Sequence, residues 1–99
     1  MANQFMPEKE VLKLKQEYPY GTRIVLNHMD DKWAVPPGTR GTVEYIDDGG
    51  HIHMRWDNGR SLSLVPEADD YRKLTKQELR EEQLLKAQGQ AEEMSMDSM

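Results

Sequence analysis

Residues 36–65 have the sequence PPGTRGTVEYIDDGGHIHMRWDNGRSLSLV, and this pattern predicts three consecutive β-strands joined by two tight turns. The Asn-Gly pair at 58–59 is the strongest turn signal, because it tolerates the positive φ angles of a type I′ turn. Apolar and polar residues alternate along 51–56 and again along 61–64, which is the period of a half-buried strand. The Asp-Gly-Gly run at 48–50 predicts the other turn. A meander of this size is not stable alone, so neighbouring segments must cover it.

The chain outside this meander adds one strand on each side. Residues 22–29 predict a strand with Ile24 and Leu26 facing inward, followed by a long irregular connection at 30–38. In the strand predicted at 40–47, Val43 and Tyr45 are in phase and Ile46 is not, which predicts a bulge or a change of face. A short segment at 71–74 predicts a fifth, closing strand.

Five short strands with one long first loop indicate a mainly β fold, a small SH3-like five-stranded barrel. Closure would leave few exposed edges in so small a sheet. The alternative is an OB-fold barrel, which normally has longer strands. Trp56 is in phase with the apolar residues of its strand, so we expect it in the core.

Helices are predicted at both ends of the barrel. A short one follows Pro7, carries an apolar stripe and stops before Pro19. Thr75 and Glu78 have the spacing of a capping box, and the second helix should continue to about Ala87. Its leucines form no heptad, so no coiled coil is expected.

The predicted organisation has three parts. Residues 1–17 are a lead with a short helix, residues 18–74 are the barrel, and residues 75–99 are a capped helix with a disordered acidic tail beginning near residue 88.

Composition narrows the function classes. Among 99 residues, 13 Lys and Arg face 18 Asp and Glu, a net charge of −5, which argues against a dedicated nucleic-acid binder. There is no cysteine, so disulfides and thiolate sites are excluded. No apolar run approaches the roughly 20 residues that cross a bilayer. We therefore expect a cytoplasmic protein with no membrane partner.

Aromatic and proline residues near the first long loop form the preferred candidate site. Aromatic side chains are enriched at binding hot spots, and aromatic-lined grooves take extended or proline-rich segments. Non-catalytic binding of a protein or peptide through this loop and the adjacent barrel rim is the predicted function. The structural alternative is that the loop tryptophan folds down as a lid on the core. The candidate ligand-binding residues are Tyr20, Trp33, Pro36, Pro37 and Tyr71.

Arginine dominates lysine in the barrel and supports a second hypothesis. Guanidinium groups bind phosphate with two hydrogen bonds and stack on bases, so several on one face would make a nucleic-acid-binding barrel. The alternative is scattered solvation and pairing with the abundant acids. The candidate contacts are Arg23, Arg40, Arg55 and Arg60, with Arg72 as a further member.

Histidine and aspartate clusters are candidates for metal binding and catalysis. His51 and His53 share one side of a strand, with Asp47 or Asp48 nearby and His28 on another strand, but structural zinc normally needs four well-placed ligands. The acidic pairs at 30–31, 47–48 and 69–70 lie in or beside predicted turns, where Asp favours local hydrogen bonds. No catalytic motif accompanies them. We predict no metal, no cofactor and no enzymatic activity.

Several ordered motifs resemble one family. They are Tyr-Pro-x-Gly-Thr-Arg at 18–23, Met-Asp-Asp at 29–31, Pro-Pro-Gly-Thr-Arg-Gly-Thr-Val at 36–43, Trp-Asp-Asn-Gly at 56–59 and Tyr-Arg-Lys-Leu at 71–74. This series resembles domain of unknown function 4314, a family of small proteins from bacterial genomes, plasmids, integrative elements and phages. The resemblance spans about residues 8–79. It implies a small barrel with a helical lead, an origin in a bacterium, phage or mobile element, and no assigned reaction. In that setting, an accessory or anti-defence role is one expectation.

Overall fold

The computed structural model describes the backbone of residues 6–97 and the side chains of residues 6–88. Within this described part of the chain, two helices flank four strands in chain order. They are α1 (Glu8–Glu17), β1 (Arg23–His28), β2 (Arg40–Ile46), β3 (Ile52–Trp56), β4 (Asp70–Lys73) and α2 (Lys76–Asp97).

The four strands form one antiparallel sheet in the order β3-β2-β1-β4. Within residues 6–97, β3 and β4 are the two ends of this order and are not paired with each other, so the sheet is open. The predicted five-stranded SH3-like barrel is therefore corrected to an open four-stranded sheet with two helices. The strand predicted at 71–74 is present as β4, but it pairs with β1 at one end of the sheet and does not close a barrel.

The strand predicted at 61–64 is reduced to a single bridge between Ile52 and Leu64. The segment does run antiparallel beside β3, since Trp56 N donates to the Arg60 carbonyl at one end and the Ile52–Leu64 pair exchanges two bonds at the other. Between them, the Leu62 carbonyl accepts from the Trp56 indole nitrogen at 2.7 Å. A side-chain donor thus takes the position that a ladder bond would need.

The turn at 57–59 also differs from the predicted two-residue type I′ hairpin. Gly59 has φ +91°, whereas Asn58 does not have a positive φ, and a type I′ turn needs both. Gly59 N donates to the Trp56 carbonyl, and Trp56 N donates to the Arg60 carbonyl. This is a three-residue loop with glycine in the left-handed position, the next most common hairpin connection.

One face of the sheet carries the core, against which α1 and the β1–β2 loop pack. Ile24 and Leu26 are fully buried as predicted, and so is Trp56. The apolar stripe of α1, Val11 and Leu14, covers this face. The further buried residues of the cluster are Met29, Val35, Val43, Ile46, Ile52, Met54 and Leu64.

The bulge predicted near the end of β2 is present. The β2–β3 register shifts between Val43 and Tyr45, so Val43 and Ile46 are both buried while Tyr45 turns to the opposite face. The extra residue, Glu44, allows β2 to place a buried side chain in the core both before and after the bulge.

The capping box of α2 forms as predicted. Glu78 N donates to Thr75 Oγ1 at 3.1 Å, and Thr75 N donates to Glu78 Oε1 at 2.8 Å. The helix, however, runs to Asp97, past the end predicted near Ala87. The disordered tail predicted from residue 88 is therefore helical as far as Asp97, and residues 98–99 lie outside the described residues.

Candidate functional site

The β1–β2 loop, residues 29–39, presents Trp33 with 66% of the residue exposed, so its ring does not cover the core. The loop backbone is nevertheless held on both sides of this ring. Trp33 N donates to Asp31 Oδ1 at 2.7 Å, and the Arg60 guanidinium donates to the Trp33 carbonyl. Val35, two residues on, is buried in the core. A large apolar side chain thus stands in solvent on a fixed backbone.

Pro36 and Pro37 lie on the same loop as Trp33 and are both exposed. Thr39 Oγ1 donates to the Pro36 carbonyl at 2.7 Å, and Gly38, with φ +90°, donates its N–H to the Leu26 carbonyl at 2.7 Å. These bonds fix the return of the loop into β2. Three of the five predicted ligand-binding residues therefore share one ordered loop.

Tyr20 is 80% exposed but lies elsewhere. It precedes β1, whereas Trp33 follows the end of that strand. Since β1 has six residues, rising about 3.3 Å each, the two residues lie beyond opposite ends of a strand roughly 20 Å long. The sheet does not bring Tyr20 and Trp33 onto one surface.

Tyr71 packs with the core. It is half-buried on β4 opposite Leu26, and its ring meets that of Tyr18 edge-on with 5.9 Å between centroids. Burial raises the pKa of Tyr71 above its ordinary value. This tyrosine joins the end of α1 to the sheet.

The strand register gathers four arginines on the sheet face opposite the core. Arg23 and Arg55 both pair with Thr42, from strands on either side of it. Arg40 and Arg72 both pair with Val25 in the same way. Directly paired residues point to the same side of an antiparallel sheet, as do residues two apart on one strand. The arginine face is Arg23, Arg40, Arg55 and Arg72; Arg60 lies outside it, in the loop after β3.

Carboxylates from α2 contact this arginine face. Glu82 accepts two bonds from Arg23, at 3.0 and 2.6 Å, and one from Arg40 at 3.1 Å. Glu78 accepts two bonds from Arg72, at 2.8 and 2.9 Å, and its Oε2 lies 3.8 Å from Arg40 Nη2. Two glutamates one turn apart therefore bridge guanidinium groups from β1, β2 and β4.

Two further carboxylates come from the sheet and its loops. Asp57, in the β3–β4 connection, accepts two bonds from Arg23 at 2.8 and 2.7 Å. Glu44, at the bulge, accepts one from Arg55 at 2.9 Å. The hydrogen bonds that Arg23 donates to Asp57 and, to a smaller extent, to Glu82 raise the pKa of Arg23. The bond from Arg23 lowers the pKa of Glu82. The bonds that Glu78 accepts from Arg72 and from the Thr75 N–H lower the pKa of Glu78 to about 2.

The sequence pattern missed Tyr45, which was predicted in phase with Val43. The bulge turns it outward onto the arginine-bearing side, 56% exposed, where it stacks on His53 with 4.2 Å between ring centroids and 7° between planes. The out-of-phase Ile46 was the signal of this change. It did not reveal which of the two residues would turn.

His53 is held in a short hydrogen-bond chain. Its Nε2 lies 2.9 Å from Asp47 Oδ2, and its Nδ1 lies 3.3 Å from Ser63 Oγ. Asp47 also accepts from the N–H groups of Gly49 and His51, closing the β2–β3 turn. The serine contact is long for a hydroxyl bond. This chain orients the ring beneath Tyr45.

The predicted metal candidates do not converge. His51 and His53 both contact Asp47, while His28 ends β1 and pairs with Asp70 in the sheet. Among the described residues, no group of three His, Cys, Asp or Glu is placed to hold a metal ion. Members of the acidic pairs accept backbone N–H groups instead, as Asp69 does from Asp30 and Val65.

Comparisons with known proteins leave a single assignment. Comparison with curated proteins and with solved structures finds no match. In the part of the chain that the structure describes, none of the helices has the length and apolar character to span a membrane. A family profile matches residues 7–74, which include α1 and all four strands. The chain belongs to the domain of unknown function 4314 (DUF4314) family.

Proposed function

We propose that this protein is a non-catalytic binding module that recognises an extended protein segment through the β1–β2 loop. The observation that supports it is the exposed Trp33 ring on a backbone held by Asp31 and Arg60. Tryptophan is among the residues most enriched at binding hot spots. A fixed loop also loses little conformational entropy when it binds, so the ring's burial contributes more fully to affinity.

The chemistry of the loop favours an extended or proline-rich segment. Trp33, Pro36 and Pro37 offer rigid apolar surfaces that lose few rotamers on contact. Lys32 lies with its Nζ 5.6 Å from the Trp33 ring centroid, which adds a cation beside the apolar surface. We expect the bound segment to carry an apolar anchor followed by an acidic residue.

A peptide library displayed on phage tests this function. Peptides selected on the wild-type protein are measured against Trp33→Ala and against Tyr20→Ala, an exposed aromatic distant from the loop. We expect Trp33→Ala to weaken binding about 30-fold or more and Tyr20→Ala to leave it unchanged. Since both rings are exposed, both variants should melt like the wild type. Equal affinity for the Trp33→Ala variant would exclude this loop as the site.

The arginine face supports a second candidate function, nucleic-acid binding. The observation in its favour is that four guanidinium groups share one side of the sheet with an exposed tyrosine. The net charge of −5 weighs against it, and so do the glutamates of α2, which contact these arginines. Binding that falls steeply with added salt is its expected signature.

A further inference from the structure

We propose that the arginine face is a binding site for single-stranded nucleic acid, and that α2 closes it with Glu78 and Glu82. The inference rests on the second candidate function. It adds the substrate class, an aromatic stacking residue and an intramolecular cover.

The two glutamates occupy the positions that phosphates would take. Each carboxylate lies between guanidinium groups and accepts paired hydrogen bonds, Glu82 from Arg23 and Glu78 from Arg72. Phosphate oxygens are recognised by arginine with the same two-bond geometry. The helix therefore supplies an internal substitute for an anionic backbone.

The spacing of the arginine face suits a chain of phosphates. Arg23 and Arg55 stand two strands apart, and Arg40 and Arg72 stand two strands apart in the neighbouring row. Neighbouring strands are about 4.8 Å apart, so each pair spans roughly 10 Å across the sheet. Two such rows offer several phosphate positions side by side.

The Tyr45–His53 stack supplies a flat ring on the same side of the sheet. Bases stack on exposed aromatic side chains only when they are unpaired, as in a single strand. His53 is fixed by Asp47 and supports Tyr45 from beneath, so the outer ring face is preorganised. This feature favours a single strand over a duplex.

The cover is held by charge more than by apolar packing. The α2 leucines that border the sheet stay exposed, Leu79 by 39% and Leu85 by 68%. Between α2 and the sheet lies a groove of about 760 Å³, lined in part by Arg23, Thr42 and Lys86. Salt screens ion pairs that lie near the surface, and a polyanion presents several anionic groups at once, so it can compete with the two glutamates for the arginines.

The charge balance shows what displacement would expose. The four arginines of the face contact four carboxylates, of which Glu78 and Glu82 belong to α2 and Glu44 and Asp57 to the rest of the domain. With the helix in place the set is neutral. With the helix displaced, four positive charges face two negative ones, and the surface becomes cationic.

Fluorescence polarisation with a labelled oligothymidylate tests the proposal. The double variant Glu78→Gln with Glu82→Gln keeps side-chain shape, and Gln still completes a capping box. We expect it to bind the oligonucleotide about tenfold more tightly than the wild type. Each of the two carboxylates competes with phosphate for the arginines, so removing each one should raise the affinity by about threefold. The logarithm of affinity should fall with the logarithm of salt concentration with a slope of about −2 to −3.

The matched control is Glu67→Gln with Glu81→Gln, which removes the same charge from exposed positions, one of them on α2. If the Glu78→Gln, Glu82→Gln variant gains no more affinity than this control, the proposal that α2 covers the site is overturned. Adding Tyr45→Ala or Arg55→Ala to the double variant should abolish the gain, and a gain that survives both would overturn the site. If the wild type binds through Tyr45 and Arg55 but the Glu78→Gln, Glu82→Gln variant binds no more tightly, the proposal that α2 covers the site is overturned. The second candidate function would then stand. No binding by any variant would overturn both.

Discussion

At Gly41, β2 passes close to the core tryptophan. Gly41 lies opposite Trp56 in the β2–β3 pair and is buried. A Cβ at this position would lie 2.7 Å from Trp56 Cε3 and 3.0 Å from the Arg55 carbonyl oxygen. The indole has little freedom to withdraw, because its nitrogen is bound to the Leu62 carbonyl.

Gly41→Ala should therefore destabilise the fold by about 1–3 kcal/mol, the usual cost of overpacking a core. Urea unfolding followed by tryptophan fluorescence measures the free energy of unfolding. Gly49→Ala is the control, since its added Cβ would meet its nearest neighbour at 3.4 Å, ordinary contact distance. A Gly41→Ala variant as stable as Gly49→Ala would contradict the close packing described for Trp56.

Asp47 links the β2–β3 turn to His53 and predicts a pH dependence of stability. Partial burial raises the pKa of its carboxyl, but the His53 bond and the N–H groups of His51 and Gly49 outweigh it and lower the pKa to about 2. A depressed folded-state pKa means that the contribution is complete above the unfolded value, 3.8. It is lost as the pH falls from about 4 toward about 2.

Thermal melts of the wild type and Asp47→Asn across this range check that sign. The wild type should melt at higher temperature near neutral pH, and the difference should shrink as the pH falls toward 2. Asp48→Asn, at an exposed neighbouring position, should show no such convergence. A difference between the wild type and Asp47→Asn that stays constant with pH would contradict the proposed role of Asp47.

At the scale of elements, local rules predicted starts better than ends. Thr75 and Glu78 identified the beginning of α2 because a capping box is a contact between residues three apart. The predicted end near Ala87 is too early. It rests on Gly89, since glycine commonly follows the last turn of a helix. Glycine inside a helix costs only about 1 kcal/mol relative to alanine, and the residues around it are good helix formers.

Thr75→Ala tests the cap directly. It should reduce the helicity of the first turn of α2 and lower stability by about 1 kcal/mol, whereas Thr75→Ser should retain both. Circular dichroism measures helicity, and thermal unfolding measures stability. An alanine variant that is indistinguishable from the serine variant would mean that the cap contributes nothing.

The segment at 61–64 shows why a correct pattern can overestimate a strand. Leu64 alternates properly and is fully buried, and the segment lies in register with β3. The ladder is interrupted because the indole of Trp56 takes the carbonyl of Leu62. Alternation reports which face is apolar, but it cannot report which donor reaches a given carbonyl.

At the scale of the whole molecule, the alternation of apolar and polar residues could not predict whether the sheet closes. Alternation and turn chemistry predicted β1, β2 and β3, and a short segment at 71–74 was predicted where β4 lies. Whether the two ends of a sheet meet depends on long-range contacts that no local period records. The gathering of four arginines likewise depends on register between strands, which pairs both Arg23 and Arg55 with Thr42.

The candidate surfaces lie on different parts of this open sheet. The Trp33 loop follows β1, and the arginine face lies opposite the core beneath α2. An extended protein segment and a nucleic acid would therefore engage different residues. This separation makes the two functions distinguishable with single substitutions.

Affinity capture from a lysate of the source cell, with and without nuclease, tests most directly whether the protein is a protein-binding module that acts through Trp33. The wild type, Trp33→Ala and Tyr20→Ala are compared as baits. We predict one set of protein partners that survives nuclease, remains with Tyr20→Ala and is lost with Trp33→Ala. Loss of this set on nuclease treatment, or its full retention by Trp33→Ala, would contradict the account.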